Sequence, residues 1–114
     1  MGTVLRMLRP FVLVLAVAAC GYPKPGPPPG RLGTPAIEAA RLRFPTSTAD
    51  SLEQGRQVFL QHCNRCHKYP ALGAYSDSQW AKIIPRMSGK ATLNTAQNEQ
   101  VLQFVLAATA TATR

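Results

Sequence analysis

At 114 residues the chain has room for one domain. Thirteen Lys and Arg against five Asp and Glu give a formal charge of +8, a balance that suits an acidic partner or an anionic membrane surface, or simply a solvated face. The basic residues are dispersed and no aromatic-plus-basic cluster offers a platform for bases, so no nucleic-acid partner is expected.

Arg6 and Arg9 precede a continuously apolar run, Phe11 to Ala19. A positive region followed by a short apolar core reads as an export signal. Nine apolar residues are too few to cross a hydrocarbon layer of about 30 Å as a helix. The run ends in Val17-Ala18-Ala19-Cys20 followed by Gly21. Small residues just ahead of a cysteine resemble the lipobox of bacterial lipoproteins. That resemblance implies a signal peptide over 1–19, a lipid anchor on Cys20, and a product exported to the periplasm or cell envelope and held at a membrane. Ordinary cleavage after Ala19 is the alternative. Cysteine arithmetic favours the lipid, because three cysteines are an odd number and Cys20 has no mate.

From 20 to 50 the chain reads as a tether. Tyr22-Pro-Lys-Pro-Gly-Pro-Pro-Pro-Gly30 lacks the donors and the freedom in φ that helices and sheets need. It is expected to be extended and stiff, a spacer lifting the domain off the membrane. Between Pro35 and Pro45, residues 37–44 have room for a turn or two of helix lying on the main domain.

The folded unit is placed at 51–110. Ser51 is positioned to cap a helix over 52–61, with Leu52, Gly55, Phe59 and Leu60 on one face. Gly55 costs about 1 kcal/mol of helix propensity, which asks for a close helix–helix approach as its reason. That helix runs into Cys63-Asn64-Arg65-Cys66-His67.

The Cys-x-x-Cys-His spacing is that of c-type haem attachment: two thiols add to the porphyrin vinyl groups and the following imidazole reaches the iron. A zinc site, a structural disulfide and a redox dithiol share parts of the pattern. The dithiol wants a βαβ context that is absent here. A zinc site wants four ligands, which His62 and His67 would have to complete beside the cysteines. Haem is therefore preferred, then zinc, then the disulfide, with the dithiol last. One haem per chain is expected, since the motif occurs once. With the signal removed the charge becomes +6, and two ionised propionates would lower it to about +4.

Residues 68–76 contain proline and glycine without period and read as loop. Ser76 or Ser78 starts a short helix over 77–84 with Trp80, Ile83 and Ile84 on one face, after which Pro85 either bends the helix or begins a new turn carrying Met87. Residues 88–90 read as loop. Asn94 and Gln97 form a capping box for a last helix over 95–108, with Val101, Phe104, Val105 and Ala108 as its stripe, widened by Leu102 and Leu106.

A haem iron held by His67 has a second face to fill. Of three methionines, Met1 and Met7 leave with the signal, so Met87 is the candidate; core filling is its other reading. His62 sits beside the attachment edge, and Lys68, Lys82 and Lys90 ligate only when neutral.

The residues from Ser51 onward resemble a class I mono-haem cytochrome c. Gly55 and Phe59 match the glycine and aromatic of that family's first helix, Val101 and Phe104 their partners on the last, Cys63, Cys66 and His67 the attachment and proximal positions, and Met87 the distal methionine. The stretch Trp80–Met87 resembles small bacterial members with a Trp-containing helix leading to that methionine. The interval from His67 to Met87 is shorter than in many members, and Tyr69-Pro70-Ala71-Leu72-Gly73 replaces the usual Gly-Pro-x-Leu, so reduced intermediate helices are implied. Pro70 is placed to offer a carbonyl to the other nitrogen of His67.

The resemblance implies an all-α domain wrapped around one covalent haem c, carrying single electrons between redox proteins such as a dehydrogenase, reductase or oxidase. With both axial positions filled, no reaction of its own is implied. The alternatives are a five-coordinate haem sensor or peroxidase-like enzyme, if Met87 does not ligate, and a zinc-binding interaction module.

Overall fold

The computed structural model describes residues 24–64 and 68–112. Four helices make up this part of the chain: α1 (Thr34–Arg43), α2 (Ala49–His62), α3 (Asp77–Lys90) and α4 (Thr95–Ala112), with a 3₁₀ turn at Leu72–Ala74. No strand occurs among the described residues; a single antiparallel bridge joins Pro25 to Pro70. The domain is small and all-α, as expected. No helix among the described residues is long and apolar enough to cross a membrane.

Helix α4 is the axis of the fold, with α1, α2, α3 and the 3₁₀ turn all packed on it. Its central position explains why burial exceeds the expected stripe. Val101, Phe104, Val105, Leu106 and Ala107 are all buried, whereas Ala108 is only half-buried. A helix covered on several sides needs apolar residues around most of its girth. The Asn94–Gln97 capping box forms as expected, each side chain accepting the other residue's backbone N–H at 3.0 and 2.8 Å.

Helix α2 begins earlier than expected. Its N-cap is Thr48, and Ser51 is instead the reciprocal member of the capping box, its hydroxyl accepting the Thr48 N–H at 2.8 Å. Leu52, Gly55 and Phe59 form the buried face. Gly55 sits directly against α4: a Cβ there would meet the Gln100 carbonyl group, its carbon at 2.7 Å, and the Phe104 Cβ at 2.9 Å. The glycine thus sets the distance between the two helices.

Helix α3 is longer than expected, and residues 88–90 are its last turn rather than loop. Pro85 lies inside it. The proline withholds a hydrogen bond from the Ala81 carbonyl, but Ala81 and Pro85 are both exposed, so water can satisfy that oxygen. The helix ends in a Schellman arrangement, with the Leu93 N–H on the Ser88 carbonyl at 3.0 Å and Thr92 in the left-handed region at φ 59°. The buried Ser88 hydroxyl is 2.7 Å from Asn98 Oδ1 and ties α3 to α4.

The proline-rich segment departs most from expectation. From residue 24 onward it lies along the domain. The Gly26 N–H donates to the Tyr69 carbonyl and the Ala71 N–H to the Lys24 carbonyl, both at 2.8 Å. Farther on, Arg56 donates to the Pro29 carbonyl at 3.1 Å. Helix α1 then fills three turns and buries Ala36 and Ala40, with Ala40 packing in a cluster with Leu52 and Ala107. Prolines cannot supply a ladder of donors, yet their carbonyls still accept, and two extended segments are joined here through the N–H groups of Gly26 and Ala71.

Candidate functional site

The first cysteine of the motif is placed by the end of α2. Cys63 is the C-cap residue, and its N–H donates to the Phe59 carbonyl at 3.0 Å. Its side chain is half-buried and packs against the main core cluster, and it is a free thiol. Burial pushes that thiol up to about 11. Cys20, Cys66 and His67 lie outside the described residues.

Aromatic side chains cover this end of α2. Phe59 stacks on Tyr69 with ring centroids 5.7 Å apart and tilts against Phe104 at 6.3 Å. The Tyr69 hydroxyl donates to the Leu60 carbonyl at 2.6 Å, pinning the loop that follows the motif back onto the helix before it. Farther along that loop, Tyr75 meets Trp80 edge-on at 5.1 Å, and the Trp80 indole N–H donates to the Leu72 carbonyl at 3.0 Å. An apparently periodless loop is thereby fixed at both ends. Its tyrosines were the signal: each brings a large apolar ring and a polar tip to be satisfied.

No family model, no curated protein and no solved structure matches this chain. The chemistry of the site must be read from its own residues.

Met87 lies on α3, half-buried, one turn beyond the buried Ile84 and two beyond the fully buried Trp80. By this spacing it occupies the same helix face as the residues that enter the core. It is part of a continuous helix, not of a loop shaped by Pro85 and Gly89. His62 is in the last turn of α2; its Nδ1 is buried and has no hydrogen-bond partner. Among the described residues, no group of three or more His, Cys, Asp or Glu could hold a metal ion.

The described members of the candidate donor set, Cys63 and Met87, are soft groups. A half-buried protonated thiol at a helix end, an aromatic wall beside it, and a thioether on a core-facing helix are soft or apolar groups suited to a large apolar ring. Pro70 adds a further acceptor. The Tyr69 carbonyl is committed to Gly26, and successive carbonyls alternate in an extended segment, so the carbonyl of buried Pro70 points away from the proline-rich segment.

Charge is distributed unevenly around this site. Lys82, Arg86 and Lys90 are all exposed and follow one another at helical spacing of four along α3. No Asp or Glu occurs between Ser78 and Asn98. Two acidic groups elsewhere are paired: Asp77 with Arg43, and Glu53 with Arg56 at 3.0 Å and Arg31 at 3.6 Å. Hydrogen bonds from Arg56, then Gln57, hold the Glu53 carboxyl below its ordinary range.

Proposed function

We propose that this protein is an exported, lipid-anchored mono-haem carrier of single electrons, of the class I cytochrome c type. What supports the reading is the Cys63-x-x-Cys66-His67 sequence together with the position of its first cysteine. It begins where α2 ends, beside an aromatic core edge, and α2 itself crosses the terminal helix through a glycine. Cys63 and Cys66 would hold the porphyrin by thioether bonds, and His67 and Met87 would be the residues that ligate its iron. Bound there, haem c supplies a one-electron ferric–ferrous couple.

The chain's own part is to attach, shield and tune. Phe59, Tyr69 and Phe104 keep water from the attachment side. Trp80 and Ile84 lie on the same face of α3 as Met87. A neutral thioether donor favours the ferrous state relative to a second imidazole, and the Pro70 carbonyl is available to orient His67. The Lys82–Arg86–Lys90 row lies on the same helix as Met87 and favours encounter with acidic surfaces on partners such as a dehydrogenase, reductase or oxidase.

Two measurements test this. The intact mass of the mature protein should exceed that of the polypeptide by one haem, with Cys63 and Cys66 both closed to alkylation; a bare polypeptide mass refutes the proposal. Met87→Ala should leave the covalent haem in place, abolish the long-wavelength sulfur-to-iron band of the ferric protein, and allow carbon monoxide to bind the ferrous form. If wild type already lacks that band and binds carbon monoxide, Met87 is a core residue and the sensor or enzyme reading takes over.

A further inference from the structure

The proline-rich segment looks like a spacer in sequence, but its fastenings give it a different task. It is held to the domain from its first described residue: Lys24 and Gly26 to Ala71 and Tyr69, Pro29 to Arg56, and Arg31 to Glu53. The contact at Gly26 is too close for any side chain, since a Cβ would lie 2.5 Å from the Ala71 Cα and 3.0 Å from its nitrogen. Pro25, Pro27, Pro28 and Pro29 also restrict the undocked chain, so fastening it costs little conformational entropy.

The segment's near end meets the loop that directly follows His67 in sequence. Between Cys20 and Lys24 lie only three residues, and this stretch spans at most about 14 Å however it runs. A free proline-rich spacer reaching residue 50 would extend roughly 90 Å.

We propose that residues 24–31 are a docked strap, which holds the Tyr69–Ala71 end of the domain close to the lipid headgroups of the membrane bearing the Cys20 anchor. This rests on the lipoprotein reading of Cys20. A centre attached at Cys63 would then stay close to the bilayer, and its partners would be membrane-held redox proteins met by lateral diffusion. Long-range reach into the surrounding compartment is given up.

The test uses the full mature protein on a supported bilayer of phosphatidylethanolamine and phosphatidylglycerol, with neutron reflectometry as the readout. In wild type, protein density should begin within about 14 Å of the headgroups. Gly26→Val removes the first fastening and leaves Pro29 as the next, so the gap should widen toward about 30 Å. A wild-type layer standing farther off, or a Gly26→Val layer that does not move, overturns the strap. Amide hydrogen exchange on the soluble Cys20→Ser protein gives a readout independent of the lipid and of the glycine variant. Gly26 and Ala71 should be protected; exchange at free-chain rates overturns the strap whatever the membrane result. Wild type that washes off the bilayer while those amides stay protected overturns the lipoprotein reading, and the membrane-facing role with it.

Discussion

Replacing Gly55 with Ala tests the crossing on which the whole arrangement depends. In an isolated helix this change would stabilise by about 1 kcal/mol. Here the new methyl would press on the Gln100 carbonyl group and within 2.9 Å of the Phe104 Cβ. These atoms belong to the backbone and inner side chain of α4, which cannot turn aside as a flexible side-chain tip would. Overpacking of this kind costs about 3 kcal/mol at the upper end of its usual range, leaving a net loss of about 2 kcal/mol. For a domain of this size that lowers Tm by roughly 8–16 °C. Gly89→Ala is the control. Gly89 lies in the last turn of α3 with nothing within 4 Å of a Cβ, so the same chemical change should stabilise by about 0.5–1 kcal/mol. Thermal unfolding of both variants, followed by helical circular dichroism, gives the comparison. If Gly55→Ala is neutral or stabilising, α2 and α4 do not meet at this residue and the packing described here is wrong.

Thr92 carries a branched side chain at φ 59°, and Thr92→Gly should raise stability by about 1 kcal/mol, read from the shift in denaturation midpoint. In the unattached chain, burial holds the Cys63 thiol up at about 11 against an ordinary 9.0. Because the folded value is the higher one, its stabilising contribution is complete below about pH 9 and is lost as pH rises through 11. Unfolding of the unattached chain across that window should show this loss, and Cys63→Ser should abolish it. Reversing Lys82, Arg86 and Lys90 to Glu should slow reduction of ferricyanide by the ferrous protein several-fold at low ionic strength, with the difference fading in high salt. Stopped-flow rates that are unchanged at low salt would remove α3 from the encounter surface.

The sequence alone determined what local chemistry can determine. Asn94 with Gln97, and Ser76 ahead of Asp77, marked helix starts because a capping side chain bonds backbone groups only two or three residues away. Gly55 signalled a close approach because its helix propensity cost required a reason. The Cys-x-x-Cys-His spacing suggested a chemistry from five adjacent residues, of which Cys63 and Asn64 are among the described ones. Tertiary structure decided the rest. Pro85 reads as a helix breaker until α3 is seen to turn Ala81 and Pro85 toward solvent, where the freed carbonyl is satisfied. Ser51 looked like a cap because Thr48 gives the same local signal three residues earlier. The proline-rich segment looked free because nothing local to it has a partner. Its backbone hydrogen bonds are made to residues some forty-five positions later in the chain, and its bond from Arg56 spans 27, so only the folded arrangement of α2, α4 and the 69–71 loop brings them together.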